Sequence, residues 1–521
     1  MIIISHKQDV LTSVTDFDTQ TTIDVMSTSL SAVLFELAAR FPDSLLIWCH
    51  DDLRSHLDMN GFKSVFHHHL IMASYEARSS YFISDEIGYV DSSPFVNIKR
   101  NVRYPTWLMS SSVGGVRSEV LLCYDGTIYH NKSLDYTLSS IAKQGMAEGL
   151  FCYSAPELLQ SDLTVLESHK PSRFTLYKFV KEHYKPHWMF LVFFCNLIYE
   201  HRLDLLPLLS SLFISQLNIK PDLTSINLAS SHLYNLDGVT VDVIIPTMGR
   251  KSFLYDVLID LSKQTILPNR VIIVEQNPST DSVSELDYIT NKTTSWPFKI
   301  IHHFIHQVGA CNARNLAISE IVSDYVFMAD DDIRFMSNLL ENTMTTMVNF
   351  ELHVATLSCL QEGEIDSQNQ IIQWHTFGTA SSIVSRTFAQ KVSFDMGFEY
   401  GYGEDSDYGM QLRNLGADIA YFPHCKLLHL KAPTGGFRTK VKQLWEEDII
   451  EPKPSPTVML FFLKYKTRYQ LHSYRTLLFF NFFKLQPNKN IITYLLNMNK
   501  RWKQSLYWAK QLQSDNQLEN R

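Results

Sequence analysis

From Val241 onward the chain repeats two patterns that leave little choice of fold. "VDVIIPT" (241–247), "NRVIIVEQN" (269–277) and "DYVFMADDD" (324–332) are apolar runs of strand length that end in polar residues. Between them, "KSFLYDVLIDLSKQ" (251–264) and "VGACNARNLAISEIV" (308–322) place apolar residues at helical spacing. Strand–helix–strand alternation at this spacing implies parallel strands joined by crossover helices. In such sheets ligands bind beyond the carboxyl ends of the strands. Three of those ends carry polar side chains: Thr247, Glu275 to Asn277, and Asp330 to Asp332.

The chain's 521 residues exceed one ordinary core, so two or three domains are expected. Residues 1–165 mix short apolar runs, among them "SLLIWC" (44–49) and "SEVLLCY" (118–124), with the helix-like "SLSAVLFELAARF" (29–41), and read as an α/β accessory domain. Residues 166–238 read as a helical connector. Within it "WMFLVFFCNLIY" (188–199) stops at Glu200-His201-Arg202, short of the ~20 residues a membrane span needs, and reads as a buried helix. Residues 239–440 hold the alternating pattern, and 441–521 a basic, aromatic, helical tail with eleven Lys or Arg and no Asp or Glu between Lys453 and Lys510. The net charge of −8 argues against a nucleic-acid binder. Seven scattered cysteines without a C-x-x-C pair, and an N-terminus without a signal-peptide pattern, point to a reduced, cytoplasmic setting.

The carboxylates carry the chemistry. In an extended segment residues i and i+2 point the same way, so Asp330 and Asp332 could converge on a hard divalent cation such as Mg²⁺ or Mn²⁺, with Asp331 facing elsewhere. The alternative is a solvated strand end. In "GYGEDSDYGMQLRNLGADI" (401–419) the glycines loosen the chain before Glu404 and Asp405. Asp405 is either a plain helix cap, stabilised by the macrodipole, or a general base. Arg314 could pair with a phosphate or lie on the surface. His424 and His429 sit far in sequence from the aspartates, and a lone histidine is more often structural. Trp374 and His375 are either acceptor contacts or core.

Taken together, "VDVIIPTMGR", "RVIIVEQNPSTD", "GACNARNLAISEIVSDYVFMADDDIRF" and "GYGEDSDYGMQLRNLGADI" resemble, in order and rough spacing, a family 2 glycosyltransferase of the GT-A fold over about 241–440. The Asp-Asp-Asp-Ile form is similar to galactofuranosyl- and rhamnosyl-type members. The resemblance implies inverting transfer from a nucleotide-diphosphate sugar to a glycan or lipid-linked acceptor in surface polysaccharide synthesis at the cell envelope. It places Pro246, Thr247 and Glu275 in the nucleotide pocket, although Glu275 stands where the family usually has Asp. Arg314 falls near the diphosphate or donor sugar, and Asp331 near the donor sugar or ribose. Asp330 and Asp332 match the metal aspartates, with His429 completing a Mn²⁺ or Mg²⁺ site and His424 as second choice. Asp405 matches the catalytic base, and Glu404 orients the acceptor. "LLIWCHDDL" (45–53) and "YFISDEIGYVD" (81–91) resemble the same fold faintly, which suggests a degenerate, GT-A-like first domain. The tail at 453–510 could meet an anionic membrane, giving peripheral placement on the inner face of the plasma membrane. Rival readings are a nucleotidyltransferase, a haloacid-dehalogenase-type phosphatase and a non-catalytic glycan-binding scaffold. The thin phosphate-loop match of "PTMGRKS" (246–252) speaks against the first, the place of Asp330 after the third strand against the second, and retention of all three aspartates against the last.

Overall fold

Two mixed sheets organise the chain in the computed structural model, which describes all residues except 161–165, 168–169, 227–235, 237, 291–294, 434–440, 487–489 and 520–521. They belong to two compact units, one of Met1–His232 with Lys466–Asn481 and the other of Leu233–Tyr465 with Phe482–Arg521.

The first unit's strands are β1 (Ile2–Lys7), β2 (Val10–Asp16), β3 (Leu45–His50), β4 (Ile71–Tyr75), β5 (Tyr104–Pro105), β6 (Val113–Arg117) and β7 (Phe151–Ser154), in the spatial order β2-β1-β3-β6-β4-β7-β5. Helix Leu30–Arg40 covers the sheet; Ser29 caps it by accepting from the Ala32 amide, and Val33, Leu34 and Leu37 form its buried stripe. "SEVLLCY" is not a strand. Ser118–Leu122 is a short helix that buries Val120 and Leu121 and leaves Leu122 exposed, because the chain turns off β6 at Arg117. "WMFLVFFCNLIY" is a helix, Trp188–Tyr199, but only one of its faces is buried: Phe190, Phe194, Leu197 and Ile198 are exposed.

The second unit holds β8 (Val241–Thr247), β9 (Arg270–Gln276), β10 (Lys299–Ile305), β11 (Tyr325–Ala329), β12 (Ile333–Phe335), β13 (Val354–Leu360), β14 (Ile372–Gln373), β15 (Ser381–Ser385) and β16 (Ile419–His429). The order is β10-β9-β8-β11-β15-β13-β16-β12, with β14 also on β16. β10, β9, β8 and β11 are parallel, and β15 runs antiparallel between β11 and β13. Ile244, Ile272, Val274 and Met328 meet Ala313 and Ala317 of helix Ala310–Ser319 in one buried cluster. This is the α/β fold that the alternation requires, with its parallel strand ends aligned along one edge. Among the described residues no helix is long and apolar enough to cross a membrane.

The two sheets share a plan. β1, β3, β4, β5, β6 and β7 take the places of β8, β11, β13, β14, β15 and β16, in the same chain order and with the same strand directions. The registers agree residue by residue. Leu45 pairs with Arg117 as Tyr325 pairs with Ser385. Met72 pairs with Val116 and Cys152 as Val354 does with Val384 and Ile419. Tyr104 pairs with Ser154 as Ile372 does with Tyr421. Flanking amides repeat too: Thr106 donates to the Cys152 carbonyl as Trp374 does to Ile419, and Ser118 to Ser44 as Arg386 does to Asp324. On this register the segment His50-Asp51-Asp52-Leu53-Arg54 stands where Asp330-Asp331-Asp332-Ile333-Arg334 stands. Among the described residues β9 and β10 have no counterpart; the hairpin strand β2 takes that edge of the first sheet.

Candidate active site

The second unit gathers its polar side chains where β8, β9 and β11 end. β11 stops at Ala329, and Asp331 and Asp332 lie in a turn. The two-residue alternation of a strand therefore does not govern the three aspartates, and each is held by its own partners. Arg250, just before helix Lys251–Ser262, reaches Asp331 at 2.7 Å and Asp332 at 3.3 Å. Thr247, at the end of β8, donates to the other oxygen of Asp331 at 2.7 Å. Asp330 turns to Arg314 at 3.1 Å. Asp331 is buried, and burial pushes its carboxyl up to about 6 against the pull of Arg250 and Thr247.

Asp332 is closed in from another side. Its Oδ2 accepts from the Ala432 amide at 2.8 Å, and its Oδ1 lies 3.4 Å from Nε2 of His429, the last residue of β16. That separation is long for a hydrogen bond, and Asp332 Oδ1 is buried without a hydrogen-bond partner. Burial works to raise Asp332, but His429, the Ala432 amide and Arg250 hold it below the usual range, while the adjoining carboxylate raises His429. Among the described residues no three His, Cys, Asp or Glu side chains form a ready metal cage. The donor set still fits a small divalent cation, which takes one or two carboxylates and fills its other positions with water and substrate phosphate. Asp332 offers the unpartnered oxygen, with His429 and Asp330 beside it. His424 hydrogen-bonds weakly to Thr346 at 3.5 Å instead.

Arg314 links this corner to the helix Glu404–Asn414. It is buried, its guanidinium lies over the Phe394 ring, and its Nη1 has no hydrogen-bond partner. Its charge acts on Asp330, Asp405 and Glu404. Helix Ala310–Ser319, which carries Arg314, begins at Gly309, whose φ of 139° suits glycine. The first turn is capped by Glu399, which accepts from the amides of Cys311 at 3.2 Å and Asn312 at 2.8 Å. Gln276 at the end of β9 accepts from the Gly309 amide at 2.6 Å.

Glu404 and Asp405 open their helix after Gly403, at φ 117°. Asp405 accepts from Thr379 Oγ1 at 2.6 Å. Burial raises Asp405 above the ordinary carboxylate range against the pull of Arg314; burial and the Asp405 charge push Glu404 up to about 7. Two carboxyls beside one arginine, Glu404 buried and Asp405 half-buried, can hold or release a proton above the ordinary carboxylate range, as acid–base catalysis requires. Two residues on, Asp407 is fully buried and pairs with Lys464 and Tyr465, so it anchors the helix.

The remaining sequence candidates are placed as follows. Pro246 and Thr247 end β8 beside Asp331. Glu275 ends β9 but is occupied, accepting from Ser284 at 2.5 Å, the Glu285 amide at 2.8 Å and His302 at 3.0 Å. Trp374 stacks on Tyr421 at 4.6 Å with His375 tilted against it, and packs onto the core. Sequence reasoning missed Arg250, Thr379 and Glu399. Arg250 lies inside the first motif, Glu399 just before the last one and Thr379 five residues after Trp374, but none of the three carries a residue type that marks its role. A cavity of about 620 Å³ lined by Asn315, Phe394, Asp395, Gln411, Lys464 and Tyr465 holds none of Asp330, Asp331, Asp332, Glu404 or Asp405.

The first unit's counterparts are closed. Asp135 is the second residue of helix Leu134–Gly145, as Asp405 is of its own helix. Asp135 accepts from the amide of Ser111, which stands two residues before β6 as Thr379 does before β15, and binds Arg78 at 2.9 Å. Arg78 also holds Glu76 at 2.8 Å.

Residues 242–402 match the family model described as glycosyl transferase family 2. A curated protein of Haemophilus influenzae described as an uncharacterized glycosyltransferase is 27% identical over 128 residues, 24% of this chain and 41% of that protein; the match thus spans under half of the relative's length. Among solved structures, S. aureus TarS 1–349 in complex with UDP-GlcNAc is 14% identical over 53% of this chain and 89% of that one, with a TM-score of 0.38. GalNAc-T7 with UDP, GalNAc and Mn2+ is 12% identical over 38% of this chain and 45% of that one, with a TM-score of 0.31.

Proposed function

We propose that residues 242–402, which match the glycosyl transferase family 2 model, form a catalytic domain of the GT-A type, and that the protein transfers a sugar, with inversion, from a nucleotide-diphosphate donor to a hydroxyl of a glycan or lipid-linked saccharide. The observation that carries the reading is the carboxyl pair Glu404–Asp405 set beside Arg314 and Asp330. Asp405 takes the proton of the acceptor hydroxyl while the new C–O bond forms at the anomeric carbon. The bond to the diphosphate breaks on the opposite face. Thr379 fixes the carboxylate's orientation, and Glu404 holds the acceptor. Arg314, through its unpartnered Nη1, and Arg250 meet the charge of the leaving diphosphate. Pro246, Thr247 and the end of β9 border the nucleotide.

A bound Mn²⁺ or Mg²⁺ would be held by Asp330, Asp332 and His429 and would supply neutralisation of the diphosphate. The first unit, in which no described strand matches β9 or β10 and whose Asp135 is tied to Arg78, is read as a truncated, non-catalytic copy of the same fold. Surface-polysaccharide synthesis at the inner face of the membrane, with the basic stretch 453–510 touching lipid, completes the proposal.

The test is Asp405→Asn assayed beside the wild type. A panel of nucleotide sugars with Mn²⁺ is read first by thermal shift, then by product formation. The variant should keep the stabilisation that the preferred donor gives and lose transfer by ~10²-fold or more. Transfer at the wild-type rate would remove Asp405 from the chemistry.

A further inference from the structure

The helices that follow β7 carry an apolar surface that the first unit does not cover. Trp188–Tyr199 buries Met189, Val192 and Cys195 on one side, yet exposes Phe190, Phe194, Leu197 and Ile198 on another. Their spacing of four, three and one residues makes one stripe. Leu205–Leu212 repeats the arrangement: Pro207, Leu208 and Ser211 are buried, while Leu205, Leu206, Leu209 and Leu212 are exposed, with Phe213 beyond them 91% exposed. Asn196 donates to Asp204 at 2.9 Å, which ties the two helices together. A helix apolar on both faces is expected only where both are covered, and a patch this large marks an interaction site.

Charge decides what covers it. Between 172 and 220 the acids are turned inward: Glu182 is buried against Lys132, Asp204 against Arg173, and Glu200 is engaged by Tyr89 and Arg468. Lys185, His187, His201 and Lys220 stay exposed. Helix Arg468–Lys484, which has no acidic residue, packs beside Trp188–Tyr199 through Tyr199, stacked on His472 at 4.1 Å, and Thr476. An apolar face flanked by Arg173, Lys185 and Lys220, on helices that present no exposed acid of their own, complements an anionic lipid surface, where apolar side chains enter the interface and lysines meet headgroups.

We propose that helices Trp188–Tyr199 and Leu205–Leu212 dock the protein on an anionic bilayer, lying in its interface without crossing it. This makes the first unit, with the stretch Lys466–Asn481 that belongs to it, a membrane-docking module, and does not rest on the assignment of sugar transfer. The test is co-sedimentation of the full chain with vesicles of phosphatidylcholine containing roughly one-third phosphatidylglycerol, without donor. The wild type should bind. Leu206→Gln combined with Phe213→Gln should bind roughly tenfold more weakly or worse at an unchanged melting temperature, because both side chains are exposed. Equal binding by variant and wild type would overturn the proposal and leave any membrane contact to the tail. Failure of the wild type to bind would also overturn it. So would light scattering that shows a dimer split by the same substitutions in a chain that ignores vesicles, since the face would then belong to a second copy.

Discussion

Glu404 and Asp405 are the residues through which pH should speak. Burial raises both, and Glu404 reaches about 7. A base that must be ionised loses function as pH falls through its raised value, so the acid limb of kcat/KM should lie above the ordinary carboxylate range near ~4. Glu404→Gln removes the like charge and should move that acid limb to lower pH; an unmoved limb would separate Glu404 from the base. Stability follows the opposite course. An acid whose folded value is raised contributes stability that is fully present below its unfolded value and is lost as pH rises through the folded one. Glu404→Gln should therefore raise the melting temperature most above pH 7. At this scale the sequence was legible where chemistry demands unusual residue types, as in the three aspartates and Glu404–Asp405. It was not legible for Arg250 and Thr379, common residues whose roles exist only because β8 and β15 bring them to the carboxylates.

Elements transmit placement to those residues. Arg314 is held by a helix whose first turn rests on Glu399, and a Cβ built on Gly309 would lie 2.4 Å from the Glu399 carboxyl. Gly309→Ala should therefore push Glu399 off the amides of Cys311 and Asn312. The expected result is a loss of ~1–2 kcal/mol of stability with donor affinity weakened severalfold, read by calorimetric titration of the donor. Donor affinity at the wild-type level would show that the cap does not position Arg314. The strands β8, β9 and β11 were readable because each is a continuous apolar run. β6 was not, because Gly114 and Gly115 lower strand propensity; the structure needs them, since a Cβ on Gly114 would come within 2.4 Å of the Trp48 ring. The exposed face of Trp188–Tyr199 was hidden for a related reason: composition reports apolarity, not which side finds a core.

At the scale of the molecule, two sheets of one plan differ in what their matching carboxylates touch. Asp405 has a hydroxyl and a partly unpartnered arginine; Asp135 is locked to Arg78 and the Ser111 amide. Asp135→Asn should cost ~2–3 kcal/mol of stability, less than the ~3–5 kcal/mol of breaking an isolated buried pair because Arg78 keeps Glu76, and leave kcat unchanged. Asp405→Asn should do the reverse. Titration of the donor nucleotide should give one site per chain; two sites would mean that the first unit also binds nucleotide. The repetition was faint in sequence because it is carried by strand register, which His50-Asp51-Asp52-Leu53-Arg54 preserves while the surrounding residues differ.

The Arg250 bridge between Asp331 and Asp332 has a consequence for the order of events in the cell. With Arg250, Arg314, Thr247 and the Ala432 amide already balancing the three aspartates, the chain can leave the ribosome and assemble without waiting for an ion. A cation held at this corner would then serve turnover and not folding. Chelator should stop turnover while leaving the melting curve where it was.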